Sequence, residues 1–141
     1  KHYFLPRDKI VYTYVISKTE MENGKKKVKV TDFLSFYSLP SHVMGNPKHD
    51  MLYVDYLTTL GLHSFYNFAT TVSYQELIKN ALILAKKENF DVYNCLNLMD
   101  NASVFEDLHF QTGDGVLNYY LYNWVMQCRK IEPNELGVVL F

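Results

Sequence analysis

The sequence predicts one domain of the α+β class. Its 141 residues fit a single domain, and with 48% hydrophobic and 16% aromatic residues it can form a substantial core. Residues 10–16 and 28–39 are rich in β-branched and aromatic side chains, which favours strands. Residues 73–89 instead repeat apolar side chains every three or four positions, which is typical of an amphipathic helix.

The two N-terminal strands are expected to form a hairpin. Asn23-Gly24 lies between them, and this dipeptide favours a tight hairpin turn. The lysines at positions 25, 26, 27 and 29 are interpreted as a solvated loop, with an anion-binding patch as the alternative. Pro40 is expected to end the second strand. Ser41 follows at a bend, where its hydroxyl would contact a ligand or cap a turn.

The middle of the chain predicts a short helix, a strand and a long helix. Leu52, Tyr56 and Leu60 are spaced by four, which predicts a helix over 50–60, and residues 62–71 alternate as a strand. The long helix starts at the capping box Ser73-x-x-Glu76. A short strand is predicted over 90–96, and a second capping box, Ser103-x-x-Glu106, predicts a further short helix.

An aromatic stretch at 113–124 is the first candidate for a binding surface. Gly113-Asp114-Gly115 predicts a tight turn, and the alternating residues after it predict a strand with an aromatic surface. Such a strand, entered from a turn that carries the Asp114 carboxylate, would form the floor of a binding cleft. An ordinary hairpin that leads into a core strand is the alternative.

The apolar ending of the chain is the second candidate. Residues 136–141 read Leu-Gly-Val-Val-Leu-Phe, which predicts a strand that holds the α-carboxylate of Phe141 at a fixed place. A partly buried carboxylate has a raised pKa and can act as a general base. The alternative is an edge strand whose carboxylate points to water.

Composition argues against several other classes of protein. The net charge of −1 disfavours a general nucleic-acid binder. The cysteines, Cys95 and Cys128, form no C-x-x-C pair, and the five histidines lack metal-ligand spacing, so we expect no metal site and a reducing, cytoplasmic location. No phosphate-binding loop, dinucleotide fingerprint or nucleophile elbow is present, and no apolar run is long enough to span a membrane.

Several long segments together resemble the C-terminal half of the eukaryotic N-myristoyltransferases. They include TDFLSFYSLPS at 31–41, FDVYN at 90–94, GDG at 113–115, YYLYNW at 119–124 and LGVVLF at 136–141. The resemblance implies an acetyltransferase-like fold, with a mostly antiparallel twisted sheet flanked by helices, as one half of a two-lobed enzyme. It implies transfer of myristate from myristoyl-CoA to the amine of an N-terminal glycine, with Ser or Thr often four residues later.

The resemblance also implies how the two halves divide the work. This half would build the peptide groove and bind no cofactor, while the N-terminal half would hold myristoyl-CoA as co-substrate, so residues 1–141 alone are expected to be inactive. Implied partners are proteins and peptides that begin with glycine and the N-terminal half, with peripheral association of the whole enzyme with ribosomes or membranes, and no nucleic acid. A non-catalytic module that binds peptides or a partner domain is the alternative function.

Site residues are carried over by position. The resemblance makes the Phe141 carboxylate the base and assigns substrate contacts to Ser41, Leu52, Asn94, Asp114, Gly115, Leu117 and Leu140. Tyr56 and His63 both remain candidates for the family's tyrosine, since residues 56–62 look like an insertion. Two further departures are Gln111, where the family has glycine, and a longer loop at 19–27.

Overall fold

The computed structural model describes residues 4–42, 58–113, 115–125 and 130–138. They fall into two compact units, Lys1–Leu96 and Asn97–Phe141, and each is described by itself. The first unit contains the strands β1 (Val11–Glu22), β2 (Lys25–His42), β3 (Thr58–Phe68) and β4 (Val92–Asn94) and the helix α1 (Tyr74–Lys87). This combination confirms the predicted α+β class.

The predicted hairpin is confirmed and is longer than expected. Asn23 and Gly24 form the turn with φ of 52° and 75°, which are the left-handed values that a type I′ turn requires. From that turn β1 and β2 pair antiparallel back to Val11↔Tyr37, with one irregularity between Ile16 and Ser17. The lysine segment therefore lies in a strand instead of a loop, because its residues continue the pairing up to the turn.

The four strands form one sheet in the order β1-β2-β3-β4. β3 pairs antiparallel with β2, and β4 pairs parallel with β3. A parallel neighbour requires a crossover connection, and α1 supplies it. Gly61↔Val92 and His63↔Asn94 mark the ends of the parallel pairing, so β4 ends beside the middle of β3.

The core lies between α1 and one face of the sheet. Ser73 caps the helix as predicted, because its hydroxyl accepts a hydrogen bond from the Glu76 N–H over 3.1 Å. The apolar face of the helix then packs on alternate residues of β2 and β3. Buried together are Leu34, Phe36, Leu62, Leu77, Ala81, Ala85 and Phe90. This packing fixes which residues point away from the helix, namely those that alternate with Phe36 and Leu62.

Two further sequence predictions in this unit are wrong. Pro40 does not end β2, which continues to His42. The pairing with β1 stops at Tyr37, so Pro40 lies where β2 is an edge strand on that side and an N–H is not needed. The helix expected over 50–60 is contradicted at 58–60, which belong to β3, while 50–57 lie outside the described residues. A spacing of four residues also places side chains on one face of a strand, so the pattern was ambiguous.

The second unit contains short 3-10 helices and irregular backbone in its described parts. Asn101–Val104 and Pro133–Glu135 are the 3-10 helices, and the Met99 N–H donates to the Pro133 carbonyl oxygen over 3.3 Å. The predicted cap at Ser103 is wrong, because the helical turn starts at Asn101 and the Ser103 hydroxyl donates back to the Asp100 carbonyl oxygen over 2.6 Å. A search of the described residues found no helix with the length and apolar character needed to span a membrane.

Candidate functional site

Three polar or aromatic side chains form a row across the sheet. Tyr37 of β2 is the register partner of His63 of β3, and His63 is the register partner of Asn94 of β4. Neighbouring Phe36 and Leu62 are buried against α1. Because side chains alternate along a strand and partners share a face, the row lies on the face of the sheet that α1 does not cover.

Stacked rings hold the centre of this row. The ring centroids of Tyr37 and His63 are 5.4 Å apart and their planes differ by 18°. Phe65 meets Tyr37 edge-on, with centroids 5.6 Å apart, and is itself buried under Phe4, whose ring stacks on it at 6.5 Å. The aromatic contacts restrict both rings and leave the imidazole half-buried at the surface.

Gly61 is a point of close strand approach beside the row. It pairs with Leu39 on one side and with Val92 on the other. A Cβ at Gly61 would lie 3.0 Å from the Leu39 carbonyl oxygen and 3.9 Å from Asn94 Nδ2. A side chain there would crowd the neighbouring strand, so glycine allows close strand pairing and keeps the Asn94 amide accessible. Ser41 lies farther along β2, where it pairs with Thr59.

A bulge between β2 and β3 sets the register of the row. The pairing shifts between Leu34 and Phe36, which leaves Ser35 opposite an extra residue. The buried Ser35 hydroxyl donates to the Tyr66 carbonyl oxygen over 2.7 Å and accepts from the Tyr66 N–H over 2.9 Å. The hydroxyl thus replaces the missing ladder bonds, and the register that follows pairs Tyr37 with His63.

A buried carboxylate, Asp32, fixes the turn between β3 and α1. One of its oxygens accepts from the N–H groups of Thr70 at 2.6 Å, Thr71 at 2.7 Å and Val72 at 3.3 Å, and the other accepts from the Thr71 hydroxyl. Burial raises the pKa of Asp32, but hydrogen bonds from Thr31, Thr71 and Thr70 outweigh it and hold that pKa well below its usual range. Asp32 is therefore an ionised structural anchor.

The titratable groups near the row are uncharged at neutral pH. Burial lowers the pKa of His63 below its ordinary value, so its imidazole is neutral. Burial raises the pKa of the Cys95 thiol to about 11, although a hydrogen bond with Ser64 opposes this, so the thiol is not a nucleophile. The row offers a neutral imidazole and an amide, which donate and accept hydrogen bonds, beside aromatic surface. This chemistry suits peptide binding, and no three metal-ligating side chains cluster in the described parts of the chain.

The aromatic stretch lies in the second unit and differs from its prediction. Its described residues, 115–125, form no strand, and Asn123 has a φ of 56°, which interrupts an extended run. The Tyr119 hydroxyl donates to the Val138 carbonyl oxygen over 3.1 Å, while Tyr120 and Tyr122 are exposed. An alternating pattern forms a strand only beside a partner, and within this unit the described residues provide none.

The structure brings only part of the predicted site together. Ser41, His63 and Asn94 lie on three neighbouring strands of one sheet. Gly115 and the partly exposed Leu117 lie in the other unit. Leu52, Tyr56, Asp114, Leu140 and Phe141 lie outside the described residues.

Sequence reasoning missed Tyr37 of the row and Gly61 beside it. Tyr37 has the same alternation parity along β2 as Ser41, and that parity was the signal available for it. Gly61 was interpreted as the end of a helix, and an isolated glycine inside a strand pattern indicates instead a close backbone approach. The structure places Tyr37 opposite His63 and shows that Gly61 lies in the same strand as His63.

The family follows from a comparison along the whole chain. Residues 1–139 match the family model of the myristoyl-CoA:protein N-myristoyltransferase C-terminal domain. The chain belongs to this family. The resemblance drawn from the sequence segments above is thereby confirmed, and the row of Tyr37, His63 and Asn94 lies in an N-myristoyltransferase C-terminal domain.

Relatives from distant eukaryotes agree. A glycylpeptide N-tetradecanoyltransferase of Plasmodium falciparum (isolate 3D7) is 48% identical over 139 residues, and a probable one of Caenorhabditis elegans is 46% identical over 139. Both alignments cover 99% of this chain but only 30% and 27% of those proteins. The chain thus spans less than a third of their length.

A probable acetyltransferase of solved structure is 15% identical, with a TM-score of 0.46 over 81% of this chain and 68% of that one.

Proposed function

We propose that this domain is the peptide-binding part of a glycylpeptide N-myristoyltransferase, an acyltransferase that moves myristate from myristoyl-CoA to the amine of an N-terminal glycine. Membership of the family supports the reaction class. The stacked, neutral row of Tyr37, His63 and Asn94 carries the assignment of the groove to this sheet face. Together they support an N-terminal glycine peptide as the ligand of the domain.

The row suits an extended peptide for two reasons. Asn94 offers an amide that both donates and accepts, which matches the backbone groups of an extended chain. The aromatic rings offer flat apolar area beside it, and Gly61 places no side chain next to the amide. Ser41, Leu52 and either Tyr56 or His63 complete this surface in the proposal, with Asp114, Gly115, Leu117 and Leu140 contacting residues of the acceptor.

The proposed base is the α-carboxylate of Phe141. The acceptor glycine reaches the enzyme mostly as an ammonium, because a free α-amine has a pKa of about 8. The carboxylate takes one proton, and the amine nitrogen then bonds to the thioester carbon. The carbon–sulfur bond breaks, the nitrogen loses a second proton, and the leaving sulfur gains one, so that coenzyme A departs as a thiol. Myristoyl-CoA itself would be held by the part of the enzyme that precedes this domain, so the domain alone would not catalyse transfer.

Extending the chain by one residue tests the base in the complete enzyme. The added residue moves the carboxylate away from its position while leaving the groove intact, so we expect a loss of kcat of at least about 100-fold with acceptor binding retained. The matched control is Phe141→Leu, which keeps a terminal carboxylate. An extended enzyme with the wild-type rate would remove the carboxylate from the mechanism, and detectable turnover by residues 1–141 alone would refute the division into halves.

A second measurement separates this function from that of a non-catalytic module. Acceptor peptides with a free N-terminal glycine and the same peptides with an acetylated glycine are compared as ligands of the complete enzyme. The proposal predicts acyl transfer only to the free amine. A module that binds peptides without catalysis would bind its ligands and transfer nothing.

A further inference from the structure

The β1–β2 hairpin extends beyond the sheet as a two-stranded ribbon. β2 pairs with β3 only from Phe33 onward, so among the described residues the segment from Ser17 to Val30 has no third strand. Every residue from Val15 to Val30 is exposed. A two-stranded ribbon that buries nothing is marginally stable in water. The ribbon therefore has surface available for a partner on both faces.

Its cross-strand register separates apolar from charged side chains. The pairs Ser17↔Val30, Thr19↔Val28 and Met21↔Lys26 alternate with pairs made of lysine and glutamate. Because paired residues share a face, Met21, Val28 and Val30 project from the same side. Their exposed fractions are 67%, 66% and 53%. The ribbon thus has one face on which three exposed apolar side chains lie beside Ser17, Thr19 and Lys26.

The other face carries an excess of positive charge. Its pairs are Lys18↔Lys29, Glu20↔Lys27 and Glu22↔Lys25. Two lysines directly opposite each other repel, which destabilises the ribbon unless an anion lies nearby. Lys27 and Glu22 form the one ion pair found among the described residues. Five lysines and two glutamates lie between Ser17 and Val30, although the whole chain has a net charge of −1.

We propose that this ribbon, residues 17–30, binds an anionic lipid surface. Aliphatic side chains on one face combined with a local lysine excess suit a membrane interface, where apolar groups enter the headgroup boundary and lysines meet anionic headgroups. The lysines on the other face lie one ribbon thickness, about 10 Å, from the lipid surface. This distance is close to the screening length at physiological salt. The open strand edges keep the backbone at headgroup depth, because unpaired N–H and C=O groups are not tolerated in hydrocarbon.

The residue types disfavour other partners. The ribbon contains no Phe, Tyr, Trp or Arg. Single-stranded nucleic acids are usually bound by stacking of bases on aromatic and arginine side chains. Protein interfaces are likewise enriched in aromatic residues and Arg and depleted in Lys and Glu. An anionic lipid surface is the partner that uses the Lys, Val and Met actually present.

Vesicle flotation of the complete polypeptide that carries this domain tests the proposal. Vesicles of phosphatidylcholine alone are compared with vesicles that contain 30% phosphatidylserine, at 150 mM and at 500 mM salt. We expect binding to the anionic vesicles only, reduced at the higher salt. The triple variant Lys18→Gln, Lys25→Gln, Lys29→Gln is expected to weaken binding at least about tenfold. The double variant Val28→Thr, Val30→Thr keeps β-branched side chains and is expected to weaken binding at least about threefold.

Matched controls make the same changes elsewhere. Lys79→Gln, Lys86→Gln, Lys87→Gln on α1 removes equal charge. Val116→Thr, Val125→Thr removes methyl groups of valines that are even more exposed, at 85% and 91%. Controls that bind like the wild type, with weakened ribbon variants, support the proposal. Equal losses in ribbon and control variants, binding to phosphatidylcholine alone, or no binding at all would overturn it. So would heparin or RNA binding as tight as vesicle binding and unaffected by the valine changes. Transfer to a soluble acceptor peptide, measured in parallel, is expected to be unchanged in the ribbon variants.

Discussion

The imidazole of His63 stacks on the ring of Tyr37, with centroids 5.4 Å apart and planes 18° from parallel. The two residues are direct partners across β2 and β3. The contact holds a half-buried, neutral imidazole at a defined place on the sheet face that lies opposite α1. In the family resemblance, His63 is one of two candidates for a tyrosine position, so a titratable ring would stand where the family has a phenol.

Protonation of His63 is expected to destabilise the fold. Burial lowers the pKa of His63 in the folded state, so the unfolded chain binds the proton more tightly. The associated stability is fully present above the unfolded pKa of about 6.5 and declines as the pH falls below it toward the folded pKa. Urea unfolding at pH 7.5 and 5.5 measures this. The decrease in free energy of unfolding should be smaller in His63→Gln than in the wild type; equal decreases would show that His63 does not carry the effect.

Gly61→Ala is expected to damage both stability and acceptor binding. The new Cβ would lie 3.0 Å from the backbone carbonyl oxygen of Leu39. Because Leu39 belongs to the paired strand β2, this contact is relieved only if β2 shifts. Overpacking of this kind costs about 1–3 kcal/mol. Gly137→Ala is the matched control, because nothing lies within 4 Å of its Cβ. Thermal unfolding and peptide titration measure both effects, and an unchanged Tm for Gly61→Ala would contradict the close approach.

Asp32→Asn is expected to lower stability strongly. The N–H groups of Thr70, Thr71 and Val72 now donate to the Asp32 carboxylate. In the variant, an NH₂ group, which is itself a donor, would replace one of the carboxylate oxygens. The asparagine amide has one acceptor oxygen, so a donor is left without its partner. Asp107→Asn changes an exposed carboxylate in the same way and serves as control.

Acid should reveal the same carboxylate. Hydrogen bonds hold the folded pKa of Asp32 below the unfolded value, so its contribution is present above about pH 4 and is lost as the pH falls through the folded pKa. The free energy of unfolding, measured from pH 6 to pH 2.5, should therefore decline more steeply in the wild type than in Asp32→Asn. Parallel curves for the two proteins would show that Asp32 is not the anchor of the β3–α1 turn.

Local signals predicted the parts of the fold whose causes are local. Asn23-Gly24 placed the hairpin turn, and Ser73 with Glu76 placed the start of α1, because a turn and a cap depend on a few neighbouring residues. The alternating run after Gly115 shows the opposite case. Its residues have strand-like composition, but a strand also needs a paired neighbour, and no local pattern supplies one.

The candidate site was predictable only in part for a similar reason. Asn94 and His63 came from a family resemblance, and nothing in the spacing of the sequence shows that they are adjacent. Their adjacency depends on the bulge at Ser35 and on the crossover through α1, which together determine the register of three strands. Asp32 was missed because an acidic residue inside a strand pattern gives no sign of its distant partners. The turn whose N–H groups donate hydrogen bonds to Asp32 begins 38 residues later.

The central claim is that the sheet face bearing Tyr37, His63 and Asn94 binds the acceptor peptide. Steady-state acyl transfer by the complete enzyme, with a glycine-initiated peptide and either Asn94→Ala or Asn80→Ala, tests it most directly. Asn80 is exposed on α1, away from this face. Loss of one peptide hydrogen bond at Asn94 should raise the acceptor KM about fivefold with kcat nearly unchanged, while Asn80→Ala stays at the wild-type value. An acceptor KM for Asn94→Ala that matches that of Asn80→Ala would contradict the account.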